Sequence, residues 1–132
     1  MRHLIDTQIL LWSLISPARL SESSRRVLAN HEIFVSQISL LEIAIKQKIN
    51  KLPEFALSIE ELSARLDEDG FNLMPLRTEH ISAYQAVPLF AEHRDPFDRI
   101  LLATALSEGI PILSSDANFQ LYRPAVQVLM NG

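Results

Sequence analysis

Apolar residues in this chain come in two alternating patterns. Short strand-length runs occur at His3-Leu4-Ile5, Ile33-Phe34-Val35, Phe71 to Leu76 and Pro111 to Ser114, with Val126-Gln127-Val128-Leu129 as a fifth at an edge. Between them the apolar positions recur at helical spacing. Ile9 to Trp12 starts a helix that ends near Ser16-Pro17, and Ser21 caps a second that runs to Ala29. Ser39 to Ile49 forms a third. A fourth starts at Ser58, lines up Ile59, Leu62 and Leu66 on one face and stops before Gly70. Thr78 to Val87 is the fifth. Asp95-Pro96 opens the sixth and most apolar, which ends at Glu108-Gly109. Strands that alternate with helices predict an α/β fold: a central, mostly parallel sheet of four to five strands with helices on both faces. No repeat, linker or low-complexity tract interrupts the pattern, so residues 1–132 are expected to form one domain.

Four acidic residues stand out against this pattern. Asp6 follows Leu4-Ile5, Glu42 lies inside Ile38 to Ile45, Asp98 precedes Ile100 to Leu106, and Asp116 follows Ile112 to Ser115. A lone carboxylate is costly to bury, so such acids pair, cap a helix or bind a cation. In an open parallel sheet, ligands bind at the carboxyl ends of the strands. Asp6 and Asp116 sit just past predicted strands, while Glu42 and Asp98 are expected in the first turns of helices that start at that edge. One topology therefore brings all four together. Two carboxylates about 5 Å apart repel by about 3 kcal/mol at an effective dielectric of 20, a penalty that a divalent cation relieves. Each acid also has a local reading. Ser39-Leu40-Leu41-Glu42 matches a capping box, Glu42 can pair with Lys46, and Asp95-Pro96-Phe97-Asp98 is good helix-start chemistry.

Composition narrows the choice. The chain is 48% hydrophobic with three glycines, which implies a dense core, and it has no cysteine for disulfides or thiolate metal sites. An oxygen-only ligand set favours Mg²⁺ or Mn²⁺ over Zn²⁺. No apolar run reaches the roughly 18 residues a membrane span needs, and Asp6 interrupts any signal-peptide core; a cytoplasmic protein with no membrane partner is expected. The formal net charge of −4 excludes coating nucleic acid by bulk positive charge. With the four acids set aside the remaining charges balance, so a nucleic-acid substrate requires metal rather than being ruled out.

The other polar residues point less sharply. His3, His31, His80 and His93 form no metal-spaced pair and are expected at the surface or as caps. Lys46, Lys48, Lys51, Arg94 and Arg99 flank the acids and read as a solvated face, with phosphate contact as the alternative. Trp12, Leu11 and Phe34 read as core or subunit interface. Ser114 and Ser115 are placed to orient a water or contact phosphate.

The segments Leu4-Ile5-Asp6-Thr7, Val35-Ser36-Gln37-Ile38-Ser39-Leu40-Leu41-Glu42, His93-Arg94-Asp95-Pro96-Phe97-Asp98-Arg99 and Leu113-Ser114-Ser115-Asp116 together resemble the PIN-domain ribonucleases, and among them the VapC-type toxins of toxin–antitoxin pairs. The resemblance covers nearly the whole chain and implies a single PIN-like ribonuclease domain. The family's catalytic, metal-holding acids fall on Asp6, Glu42, Asp98 and Asp116. Asp95, Ser114 and Thr7 fall on auxiliary positions, and Gln8 departs from the histidine frequent in close relatives. The resemblance further implies a metal-dependent endoribonuclease using Mg²⁺, with Mn²⁺ able to substitute, an RNA substrate, a homodimer and a cognate antitoxin that blocks the acidic groove. A carboxylate-held metal generates hydroxide from water near neutral pH, which predicts 5′-phosphate and 3′-hydroxyl products.

Other phosphoryl-transfer folds fit less well. A haloacid-dehalogenase-type phosphatase needs an acid at position 8, which is Gln8. A receiver domain needs a late lysine, and the last one is Lys51. A nucleotide-binding loop needs glycines that are absent. The alternative in a different class is a catalytically silent PIN-like module that binds RNA or a protein partner and uses the acids only as caps.

Overall fold

A computed structural model describes residues 1–132. Five strands, β1 (Arg2–Ile5), β2 (Glu32–Ser36), β3 (Asn72–Met74), β4 (Ile112–Ser114) and β5 (Val128–Met130), form one sheet in the order β3-β2-β1-β4-β5. All four pairings are parallel, with Leu4 opposite Phe34 on one side and Ile112 on the other. Parallel neighbours require crossovers, and six helices supply the chain between strands: α1 (Thr7–Ile15), α2 (Glu22–Asn30), α3 (Gln37–Lys48), α4 (Ile59–Glu68), α5 (Thr78–Ala83) and α6 (Pro96–Glu108). The expected α/β architecture is therefore present, with the sheet wholly parallel. None of these helices is long and apolar enough to cross a membrane.

Successive strand residues face opposite sides of the sheet, so each strand feeds two cores. Ile5, Ile33, Val35 and Leu113 join Ile9, Leu10, Ile43, Leu62 and Leu66 in one core. Leu4, Ile112 and Val128 join Leu101, Leu102, Ala105, Phe119 and Tyr122 in the other. Both faces of the central strand β1 are covered, with Leu4 and Ile5 fully buried. That explains its unbroken apolar pattern, since a strand covered on both faces does not alternate. Helix α6 buries five consecutive residues, Leu101 to Ala105, which accounts for its high apolar content. It stops at Gly109, whose φ of 65° is the left-handed conformation that glycine adopts without a Cβ clash.

Several local expectations are corrected. Helix α3 starts at Gln37, and its cap is Ser36, whose hydroxyl accepts from the Ile38 N–H at 3.1 Å. The Ser39–Glu42 capping box does not form, and Glu42 lies in the second turn rather than the first. Ser36 leaves β2 in extended conformation and so reaches the capping position first. The helix expected over Thr78–Val87 breaks after Ala83 into a 3₁₀ turn at Tyr84–Ala86. Val87 precedes Pro88 and is extended, as the proline ring requires. The third strand ends at Met74, because Pro75 has no N–H for the ladder. Three of the four histidines, His3, His80 and His93, are buried rather than at the surface. His80 nevertheless caps, its Nδ1 accepting from the Arg77 N–H at 3.1 Å. Arg99 is also buried, neither solvated nor available to phosphate.

Candidate active site at the carboxyl edge of the sheet

The central strands β1 and β4 end side by side, and each delivers a carboxylate. Asp6 is the cap of α1, with Oδ1 accepting from the Ile9 N–H at 2.8 Å. Its Oδ2 accepts from the Ser114 hydroxyl at 2.6 Å. Only 4% of Asp6 is exposed. Burial pushes its pKa up to about 6, against the opposing pull of the Ser114 and Ile9 hydrogen bonds. Asp116 caps the 3₁₀ turn Ala117–Tyr122 by accepting from the Asn118 N–H at 2.9 Å.

Two helices complete the group. Glu42, buried on α3, accepts from the Thr7 hydroxyl at 2.7 Å and pairs with Lys46 at 3.0 Å. The Thr7 hydroxyl also lies 2.9 Å from that of Ser39. Asp95 caps α6 by accepting from the N–H groups of Phe97 at 2.8 Å and Asp98 at 3.3 Å. Asp98, in the first turn of α6, turns its side chain away from the helix to meet His93 Nε2 at 3.0 Å. Burial raises the Asp98 pKa to about 6; the His93 hydrogen bond opposes this, while the nearby charges of Asp95 and Glu42 add to it.

The structure thus brings Asp6, Glu42, Asp98 and Asp116 to one cleft of about 210 Å³, with Asp95, Thr7 and Lys46 on its walls. Ser114 stands behind Asp6 as its hydrogen-bond donor. Asp6, Asp95 and Asp116 do cap helices or turns, so that local reading holds for them. For Glu42 the pairing with Lys46 forms but the capping box does not, and Asp98 takes its first-turn place in α6; neither carboxylate bonds a helix N–H, and both line the cleft with the other acids. Five carboxylates against one ammonium, with no sulfur donor, suit a hard divalent cation. A groove of about 620 Å³ continues from the cleft past Gln8 and Leu11 to Trp12, with Arg19, Lys46 and Lys51 along it.

His93 is the site residue that sequence reasoning missed. It is 4% exposed, its Nε2 is 3.9 Å from Asp116 Oδ2, and its Nδ1 meets the Tyr122 hydroxyl at 2.8 Å. One ligand atom each from His93, Asp98 and Asp116 lie within 4.8 Å of one another. The available signal was its position two residues before Asp95 in the His93-Arg94-Asp95-Pro96 segment. A search for histidine pairs along a helix passes over it, because its partners come from a helix start and a distant turn.

The PIN-domain family model matches residues 3–123. Among curated proteins no sequence matches. Solved structures share the fold at low identity. VapBC2 from Rickettsia felis, bound to a DNA fragment from its promoter, matches with a TM-score of 0.69 and 16% identity over 98% of both chains. A toxin–antitoxin complex from Klebsiella pneumoniae matches at 0.66 and 18% identity, again over 98% of both. FitAcB from Neisseria gonorrhoeae matches at 0.62 and 16% identity over 96% of both.

Proposed function

The chain belongs to the PIN-domain family, and on that premise we propose that it is a divalent-metal-dependent endoribonuclease, the VapC-type toxin of a toxin–antitoxin pair. The observation that carries the reading is the meeting of Asp6, Glu42, Asp98 and Asp116, from four separate elements, in one cleft where two of them have no capping role.

In this reading Asp6, Asp98, Asp116 and Glu42 hold Mg²⁺, or Mn²⁺ in its place. When bound, the ion supplies an activated water and neutralises charge on the phosphate. The chain's own residues hold the donors in place. Ser114 and the Ile9 N–H fix both Asp6 oxygens, which leaves the carboxylate no rotational freedom. Thr7 fixes one Glu42 oxygen and Lys46 the other. Asp95 adds negative charge at the rim without sharing those contacts. Lys46 also borders the adjoining groove, where Arg19 and Lys51 are placed to meet the phosphates of an RNA strand that runs through the cleft. Attack by water rather than by the RNA 2′-hydroxyl leaves 5′-phosphate ends.

The toxin–antitoxin assembly of the structural neighbours supports a cognate antitoxin as partner, with the same groove as its seat. A homodimer and a cytoplasmic location complete the proposal.

Cleavage of a mixed RNA pool by the purified protein tests it. Activity is expected with Mn²⁺, lost on EDTA and lost in Asp6→Asn, with 5′-phosphate ends. Cyclic 2′,3′-phosphate ends made without metal would instead indicate histidine acid–base chemistry. No activity from protein free of bound inhibitor would leave the silent binding module as the better reading.

A further inference from the structure

We infer that His93 is a positioning residue of the acidic cleft: the chain Arg99–Tyr122–His93, buried behind the half-buried Asp98, holds the His93 ring as the Nε2–H tautomer and aims that hydrogen at the Asp98 carboxylate. The purpose of this arrangement rests on the nuclease reading; its geometry does not.

The donors, taken from the core outwards, fix where the hydrogens lie. Arg99 has no acceptor atom. Its guanidinium donates to the carbonyls of Val87 at 3.1 Å and Pro88 at 2.6 Å, to the Tyr84 hydroxyl at 3.1 Å, and towards the Tyr122 hydroxyl at 3.4 Å. The Tyr122 oxygen is therefore met by a donor, and its own hydrogen goes to the acceptor beside it, His93 Nδ1 at 2.8 Å. A ring nitrogen that accepts carries no hydrogen. In the neutral ring the hydrogen then sits on Nε2, 3.0 Å from Asp98 Oδ2. The ring is locked in that pose, with the Phe119 and Tyr122 rings each 5.5 Å from its centre.

This excludes a tempting reading of the same atoms. The cluster of His93, Asp98 and Asp116 has the spacing of a three-ligand metal site. A nitrogen ligand must offer a bare lone pair, and Nε2 here carries its hydrogen towards Asp98. His93 orients a carboxylate and does not ligate. It takes one lone pair of Oδ2 and leaves Oδ1 without a side-chain hydrogen bond. Side chains that orient metal ligands in this way typically contribute 10–100-fold to metal affinity.

Two measurements on the full chain test the inference. The first is NMR of isotope-labelled ring nitrogens in metal-free protein, with His93 assigned by its loss in His93→Gln. The Nε2–H tautomer is expected, giving way to a mixture in Tyr122→Phe. The second is Mn²⁺ affinity by calorimetry. His93→Leu should bind about 10–100-fold more weakly. His93→Gln, which keeps an N–H near that position, should bind as wild type does. Tyr122→Phe, which removes a single oxygen, should lose affinity in the same direction as His93→Leu and covers the case in which His93→Leu does not fold. A hydrogen on Nδ1 in the wild type overturns the inference, as does wild-type affinity in both His93→Leu and Tyr122→Phe. Wild type that binds no Mn²⁺ overturns the positioning role together with the nuclease reading. The tautomer, read without metal, separates that failure from an error in the chain of hydrogen bonds.

Discussion

Asp6 is ionised at neutral pH in a place where burial favours the protonated form. Its pKa is raised from 3.8 to about 6, so the folded state holds the proton more tightly than the unfolded chain does. Stability of the metal-free protein therefore falls as pH rises between those values and stays low above them, by up to about 3 kcal/mol for this group. Asp98 acts in the same direction. Melting of EDTA-treated protein should show a Tm that drops from pH 4 to pH 7, with a smaller drop in Asp6→Asn. At neutral pH Asp6→Asn should stabilise the metal-free protein by on the order of 1–3 kcal/mol, because asparagine also caps a helix and carries no charge. Mn²⁺ should raise the Tm of the wild type and leave that of the variant nearly unchanged. These carboxylates were legible because a charge beside an apolar run is conspicuous, as Asp6 is after Leu4-Ile5 and Asp98 is before Ile100 to Leu106. His93 and Arg99 were not, because each is satisfied by residues remote in sequence: Tyr122 for one, the carbonyls of Val87 and Pro88 for the other.

Helix starts show where local patterns compete. Ser39 and Glu42 have the spacing of a capping box, yet the Glu42 side chain is taken by Thr7 and Lys46, and Ser36 caps instead. The box at Ser58 and Glu61 does form, since no tertiary partner competes for that exposed glutamate. Ser36→Ala and Ser58→Ala should each cost about 1 kcal/mol in urea unfolding. At the other end of α6, Gly109→Ala should cost on the order of 1 kcal/mol, because an alanine there would be held at a φ of 65°.

The sheet's parallel character followed from strands alternating with helices, but its order did not. Periodicity shows that a strand is buried without showing which strand lies beside it. Placing β1 between β2 and β4 depends on the side of the sheet to which each crossover returns. Polar contacts as well as apolar packing hold the C-terminal part of the chain together. Arg99 joins α6 to the segment before it through the Val87 and Pro88 carbonyls and to the C-terminal part through Tyr122. Arg99→Met would leave the Val87 carbonyl buried and unpaired, and denaturant unfolding should show a loss of about 2–4 kcal/mol.

The contact between Asp6 and Ser114 spans 108 positions. Synthesis from the N-terminus delivers Asp6 first and then Glu42, while the hydroxyl that holds Asp6 and the Asp116 carboxylate arrive after the other acids of the cleft. Until β4 has left the ribosome, β1 lacks its neighbour on one side, and the acids already made have no cleft to share. Such long-range closure is slow and comes late in folding. The chemistry proposed for this protein is thereby withheld in time: a nascent chain carries most of the required carboxylates yet has no complete site until its last strands take their places.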